Sequence, residues 1–385
     1  MASLDELVGN TAHFPVLGRW VFLNHAGVSP LPRCAADAIR RYAGAFEAEA
    51  YLGGWVMTEY ASCRQTLARL INADVSEIAL LKNTAEAIST VAFGLEWRAG
   101  DRIVTAAVEY PANIYPWLEV ARRHGVEVVM IPERDRADGS RAVDPDELLA
   151  AAEHPACRLI ALSHVQFASG QRMPVAEIGA WCRQRGKLLC VDAIQSLGAI
   201  PVDVRAMNID FLAAGSQKWT LGPMGAGVVY IRRELCDLIR PLAVGAYSVI
   251  DPENYGKIDY TLQPDCRRHE SGTPGLPSLL GWKASIQMLL SAGIARVEAR
   301  IGQLTSHLVD GLRARGYRIC SPREGLMWSG IVSFLPPGEV DPAATARRLR
   351  EQHRIELVVR EGRLRASPHF YNTIDEMDQL IEALP

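Results

Sequence analysis

Seven short apolar runs recur between Glu77 and Ile231: EIALL, RIVTAAV, EVVMI, RLIALSHV, KLLCVDA, DFLAAGS and GAGVVYI. Their length and near-continuous hydrophobicity mark strands buried on both faces, and amphipathic stretches such as TAEAISTVAFGL and VAEIGAWCRQRG lie between several of them. That alternation restricts the chain to an α/β fold with a mainly parallel sheet covered by helices. Ligands of such sheets gather at the carboxyl ends of the strands, so polar residues just after each run are the candidates for chemistry.

Beyond about Pro264 the pattern changes. A polar turn, RRHESGTPGLP, leads into a helical run from Ser278 to Gly316, then IVSFLP, a helix ATARRLREQHR, a strand pair ELVVREGRLRAS turning at Glu361-Gly362, and a last helix from Ile374. A length of 385 residues exceeds one ordinary core. The expected division is a large domain over residues 20–265 and a smaller α+β domain over 1–19 and 275–385, with 266–274 as an interface loop.

The net charge of −3 gives no basic face for nucleic acid or an anionic membrane, and 49% hydrophobic residues supply an ample core. The first residues lack a signal-peptide pattern and no apolar stretch is long enough to span a bilayer, which predicts a cytoplasmic protein. Eight cysteines occur without a C-x-x-C pair, and the nine histidines show no ligand spacing near them. Reduced, buried thiols are expected, with no metal.

Three positions follow strands in chemically suggestive ways. Lys218, in AAGSQKWTLGPMGAG, places an ammonium in an apolar wall; desolvation there lowers its pKa and leaves an amine able to attack a carbonyl, although a paired or snorkelling lysine fits the same pattern. Asp192 ends KLLCVDA and is either a helix cap or the partner of a protonated heterocycle nitrogen. Such a pair at about 4 Å is worth roughly 4 kcal/mol at an effective dielectric near 20. Asn83 or Thr84 opens a helix whose first N–H groups suit a phosphate, or is simply an N-cap. A phosphate cradle, a carboxylate for a ring nitrogen and a carbonyl-seeking lysine together match the needs of pyridoxal 5'-phosphate.

The chain resembles the class V aminotransferase superfamily of fold-type I pyridoxal-phosphate enzymes, which includes cysteine desulfurases, selenocysteine lyases and isopenicillin N epimerases. The segments that carry the likeness, in order, are FLNHAGVSPLP, NTAEAIS, EYPANIYPW, SHVQFASG, VDAIQS, GSQKWTLGPMGAG, RHESGTP and GRLRASPHFYNT. The resemblance implies a large domain with a mainly parallel seven-stranded sheet and a homodimer with shared active sites. It makes Lys218 the Schiff-base residue, Asp192 the partner of the pyridine nitrogen and Gln195 a donor to the phenolic oxygen. Thr84, Ala85 and Ser216 then hold the phosphate, joined by Thr273 from the neighbouring subunit, while Tyr110 stacks on the ring. Arg365 takes the substrate α-carboxylate, His25 is a second substrate contact, and His369 and Tyr371 brace Arg365.

The sequence departs from desulfurases in four places, one of them Gln217, which replaces a histidine just before Lys218. Tyr110 stands where histidine is frequent and cannot serve as a near-neutral acid or base, Phe167 replaces an asparagine, and no cysteine precedes Arg365 in VVREGRLRAS. The resemblance therefore implies an enzyme acting on an L-amino acid through an α-carbanion, with β-elimination of a cysteine-type conjugate as the leading reaction and persulfide formation disfavoured. Transamination, epimerisation and decarboxylating deamination are the alternatives, followed by a non-catalytic cofactor-binding scaffold.

Overall fold

The seven apolar runs lie side by side in one sheet, ordered Ile78–Leu81, Gly227–Ile231, Phe211–Gly215, Leu188–Asp192, Cys157–Ser163, Arg102–Ala106 and Glu127–Ile131. This is the arrangement in a computed structural model that describes residues 3–254 and 256–385. The last five strands pair in parallel, and Gly227–Ile231 runs antiparallel to both of its neighbours. Parallel pairing needs long crossovers, and the helices Tyr115–His124, Pro145–Ala152 and Val175–Gln184 lie within them.

Side chains alternate faces along each strand. Val104, Ile160, Leu162, Leu189, Val191, Leu212 and Val228 join a core on one face, while Ile103, Leu159, Ala161, Cys190, Phe211, Ala213 and Val229 join a second on the other. Burial on both faces is why these runs read as continuously apolar. The sheet is thus an α/β layer open to ligand only at its strand ends.

A second, antiparallel sheet orders Arg318–Ile319, Val332–Leu335, Arg363–Ala366 and Val358–Arg360. Leu304, Leu308 and Leu312 from the Ile294–Ala314 helix pack on it with Met377 and Leu380 from the Ile374–Ala383 helix. The amino-terminal Val21–Phe22 pairs in parallel with Ile355–Glu356, and Asn24 bridges Ser367. This pairing carries the following residues, 24–29, across the mouth of the large sheet.

Two features differ from the sequence expectation. The single helical run from Ser278 is two helices, Leu276–Ala292 and Ile294–Ala314, broken at Gly293. Its φ of 82° is open to glycine and its N–H closes the first helix on the Leu289 carbonyl at 2.9 Å. Helices Arg33–Glu49 and Trp55–Ile71 were not anticipated. The first carries a stripe of Ala35, Ala38, Ile39, Tyr42 and Phe46 along one face, of which only Ala35 is fully buried.

Candidate active site

A cavity of about 750 Å³ opens at the carboxyl ends of the parallel strands. Lys218 lies in its wall, three residues past the strand that ends at Gly215. The backbone there is fixed from two sides. Ser29 Oγ and the Leu221 N–H both donate to the Lys218 carbonyl, at 2.6 and 2.9 Å, and the Ser29 N–H donates to the Gln217 carbonyl at 2.8 Å. The ammonium sits 5.3 Å from the centroid of the Tyr110 ring, and the residue is only 8% exposed. Burial pulls the amine below the ordinary lysine range, Asp192 opposes that, and the guanidinium groups of Arg365 and Arg360 add to it.

Asp192 ends its strand in the same wall, buried, with Oδ1 accepting from the Ile194 N–H at 2.9 Å. Burial pushes its carboxyl upward, and nearby Glu109 adds to the shift. Glu109 is itself buried and accepts from the Ser163 N–H, Gln166 Nε2 and Asn113 Nδ2 at 2.7, 2.7 and 2.9 Å, and from Ser163 Oγ. These bonds fix the turn that carries Tyr110, whose half-exposed ring meets Phe167 edge-on at 5.4 Å.

The helix Thr84–Gly94 points its amino end into the cavity through Asn83, Thr84 and Ala85. Asn83 caps it, its Oδ1 accepting from the Glu86 N–H at 2.9 Å. Thr84 Oγ1 is buried without a partner. The strand beside this turn must come very close, because a Cβ on Gly227 would lie 2.7 Å from the Asn83 nitrogen.

Arg365 enters from the second sheet and is 1% exposed. Its Nη1 donates to the Phe167 carbonyl at 2.6 Å, while Nε and Nη2 are buried with no partner. Burial lowers its pKa to about 9, the direction expected of a cation that lacks a counter-charge. A carboxylate with two oxygens matches two such free N–H edges.

Thr84, Ala85, Tyr110, Asp192, Gln195, Lys218 and Arg365 therefore line one cavity. Gln195 is held at both ends of its amide, Nε2 on the Ala26 carbonyl at 3.0 Å and Oε1 under Trp219 Nε1 at 2.9 Å. Three other residues lie elsewhere. Ser216 donates its hydroxyl to the Pro223 carbonyl and is outside the lining. Thr273 lines a second cavity of about 550 Å³ with Lys82 and Glu86. His25 sits behind the wall, bonded to the Ser367 carbonyl at 2.8 Å and the Tyr371 hydroxyl at 2.6 Å, and burial drives its pKa far down.

His369 and Tyr371 make no hydrogen bond to Arg365 among the described residues. His369 Nε2 meets the Trp219 carbonyl at 2.9 Å, one residue past Lys218, and Tyr371 reaches His25. The SPHFYNT segment thus braces the lysine turn. Asn24, whose Oδ1 is buried and unpartnered in the lining, and Arg360 were not singled out from sequence. Asn24 lies in the quoted FLNHAG segment, but nothing in its spacing aims it at the site. Glu356 also lines the cavity, with its oxygens taken by Arg350 at 2.6 and 2.9 Å.

The family model described as "Aminotransferase class-V" matches residues 21–380. The chain belongs to the class V aminotransferases. A probable cysteine desulfurase of Pyrococcus abyssi is 30% identical over 96% of this chain and 94% of its own, and an isopenicillin N epimerase of Streptomyces clavuligerus is 32% identical over 100% and 98%. The solved cystine C–S lyase C-DES, in complex with its product cysteine persulfide, superposes with a TM-score of 0.88 at 27% identity, covering 96% of this chain and 98% of that one. Another structure of C-DES holds glycine covalently linked to its pyridoxal phosphate cofactor. Class V aminotransferases are pyridoxal-phosphate proteins, and the donor set here fits that group. An unpartnered Thr84 hydroxyl stands at a helix amino end, a buried carboxylate faces the same space, and a lysine amine with depressed basicity lies beside them.

Proposed function

We propose that this protein is a pyridoxal-phosphate enzyme that breaks the carbon–sulfur bond of an L-cysteine conjugate by β-elimination. The observation that carries this reading is the pairing of Lys218 with the unpartnered edge of Arg365 in a cavity whose described lining contains no cysteine. Seven of the eight cysteines are buried, and Cys34 is half-buried elsewhere. Persulfide formation on the enzyme needs a thiol at the substrate, whereas elimination does not. The likeness to a cystine C–S lyase supports the same choice.

The Thr84 hydroxyl and the first N–H groups of its helix would hold the cofactor phosphate, Asp192 its ring nitrogen, Tyr110 its face and Lys218 its aldehyde carbon. When bound, the cofactor supplies an electron sink for charge developing at the substrate α-carbon. Arg365 binds the α-carboxylate through Nε and Nη2 and so fixes which bond at the α-carbon faces Lys218. The Lys218 amine then takes the α-proton, for which a lowered pKa suits it. The electrons of that C–H bond form the Cα–Cβ double bond as the Cβ–S bond breaks, and the thiolate leaves and is protonated. Water releases the remainder as pyruvate and ammonium, so conjugate plus water yields thiol, pyruvate and ammonium.

Glu109 acts through Tyr110, and Trp219 through Gln195, as positioning residues. Thr273, on its separate cavity, fits a contact across a homodimer interface, its hydroxyl serving the neighbouring site.

Incubating the holoenzyme with cystine and with S-alkyl cysteines, and assaying pyruvate, tests the reaction. Pyruvate released in step with thiol or persulfide supports the proposal. Accumulation of the amine form of the cofactor without pyruvate would instead assign transamination. Epimerisation is the second reading, favoured by the full-length likeness to isopenicillin N epimerase. It predicts exchange of the α-proton with solvent deuterium and inversion without loss of the side chain.

A further inference from the structure

Outside the cavity, Cys236 and Cys266 bring their sulfurs to 3.0 Å although they are 30 positions apart. No other two cysteines among the described residues are hydrogen-bonded to each other. We propose that Cys236 and Cys266 are a redox-active dithiol site, which a small hydroperoxide converts to an intramolecular disulfide.

The geometry requires little movement. A disulfide places its sulfurs ~2.05 Å apart, so closing the gap takes about 1 Å, within reach of small side-chain rotations. The surroundings also give the two thiols different roles. Cys236 lies on the Arg233–Leu238 turn, where Arg268 Nη1 approaches its carbonyl at 3.5 Å and Arg268 Nη2 pairs with Asp237 at 2.9 Å. The contact between the two sulfurs draws the Cys236 thiol below its ordinary range, aided by the charges of Arg268 and Arg233. Arg268, hydrogen-bonded to the Cys236 carbonyl, favours a thiolate at Cys236, which makes Cys236 the attacking group and Cys266 the resolving thiol.

The balance is as follows. The Cys236 sulfur attacks the O–O bond of ROOH, giving a sulfenic acid and ROH. Cys266 then attacks that sulfur, the S–S bond forms and water leaves; two thiols and ROOH yield a disulfide, ROH and water. The product ties the Arg233–Leu238 turn to the Cys266–His269 turn, directly before the 270–275 segment that lines the second cavity. Both thiols are almost fully buried, so a small peroxide is the suited oxidant and a bulky disulfide is not.

The test treats the full-length holoenzyme with hydrogen peroxide, alkylates it under denaturing conditions and maps its peptides. Expected are six alkylated cysteines in place of eight and one cross-linked peptide joining Cys236 to Cys266, both reversed by dithiothreitol. In Cys266→Ser the sulfenic acid persists on Cys236 and is trapped by dimedone. Eight alkylated cysteines, a cross-link between any other pair, or sulfinic acid at Cys236 without a cross-link would overturn the proposal. If the serine variant does not fold, the wild-type peptide map alone decides it.

Discussion

Lys218 gives up solvation to stand in an apolar wall, and that loss sets its chemistry. A depressed pKa means the neutral, nucleophilic amine is abundant at lower pH than in a free lysine, whose value is about 10.4. The rate at which apoenzyme takes up pyridoxal phosphate, followed by absorbance, is expected to rise with pH to a midpoint below that value. Arg365→Ala removes a neighbouring cation and should move the midpoint up, while Asp192→Asn removes the carboxylate that favours the ammonium and should move it down. A midpoint unmoved by either would refute the electrostatic account. Steady-state kinetics check a second expectation at Arg365: its alanine variant loses two charge-assisted hydrogen bonds, worth about 1.5–3 kcal/mol each, so KM for α-amino acids should climb by about 100-fold or more. Lys218 and Asp192 stood out in the sequence because a charge beside an apolar run is conspicuous, whereas Arg365 was marked only by the family resemblance. The placement of Ser216 and His25 was not legible, since whether a hydroxyl or imidazole turns toward a cavity or a neighbouring carbonyl depends on partners such as Pro223 and Tyr371, far away or across a turn.

The helix Thr84–Gly94 and the strand Gly227–Ile231 meet so closely that only a hydrogen fits between them at Gly227. Gly227→Ala should displace the first helical turn at an overpacking cost of about 1–3 kcal/mol. Because that turn is the proposed phosphate cradle, cofactor affinity should fall by about tenfold or more, measured by equilibrium titration of apoenzyme; unchanged affinity would place the phosphate elsewhere. Gly293→Ala acts on folding instead. A side chain at φ 82° is strained, so denaturant unfolding should show a loss of at least about 1 kcal/mol with the cofactor spectrum unaltered. At this scale the seven strands were readable because burial on both faces leaves an unbroken apolar signature. The break at Gly293 was hidden within good helix formers on either side, and the stripe of the Arg33–Glu49 helix is built partly of alanines and, beyond Ala35, is only half-buried.

Three separate parts of the molecule meet at Glu270. Arg64 from the Trp55–Ile71 helix donates to both of its oxygens at 2.8 and 2.7 Å, Tyr60 donates its hydroxyl, and the Leu80 N–H of the edge strand donates at 2.8 Å. This buried knot anchors the segment that continues to Thr273. Arg64→Met leaves Glu270 without its cation, so a stability loss of about 3–5 kcal/mol is expected by chemical denaturation, and a loss below 1 kcal/mol would show the knot to be dispensable. No such long-range closure could be read from spacing, because its members lie about 200 positions apart. The same holds for the pairing of Val21–Phe22 with Ile355–Glu356, which lays the first segment over the cavity. The proposed function places the cofactor on one amine among the five lysines of the chain, Lys82, Lys187, Lys218, Lys257 and Lys283. Borohydride reduction of the holoenzyme followed by peptide mapping tests that directly. The account requires the reduced cofactor on Lys218 alone, and its recovery on any of the other four, or on none, would contradict it.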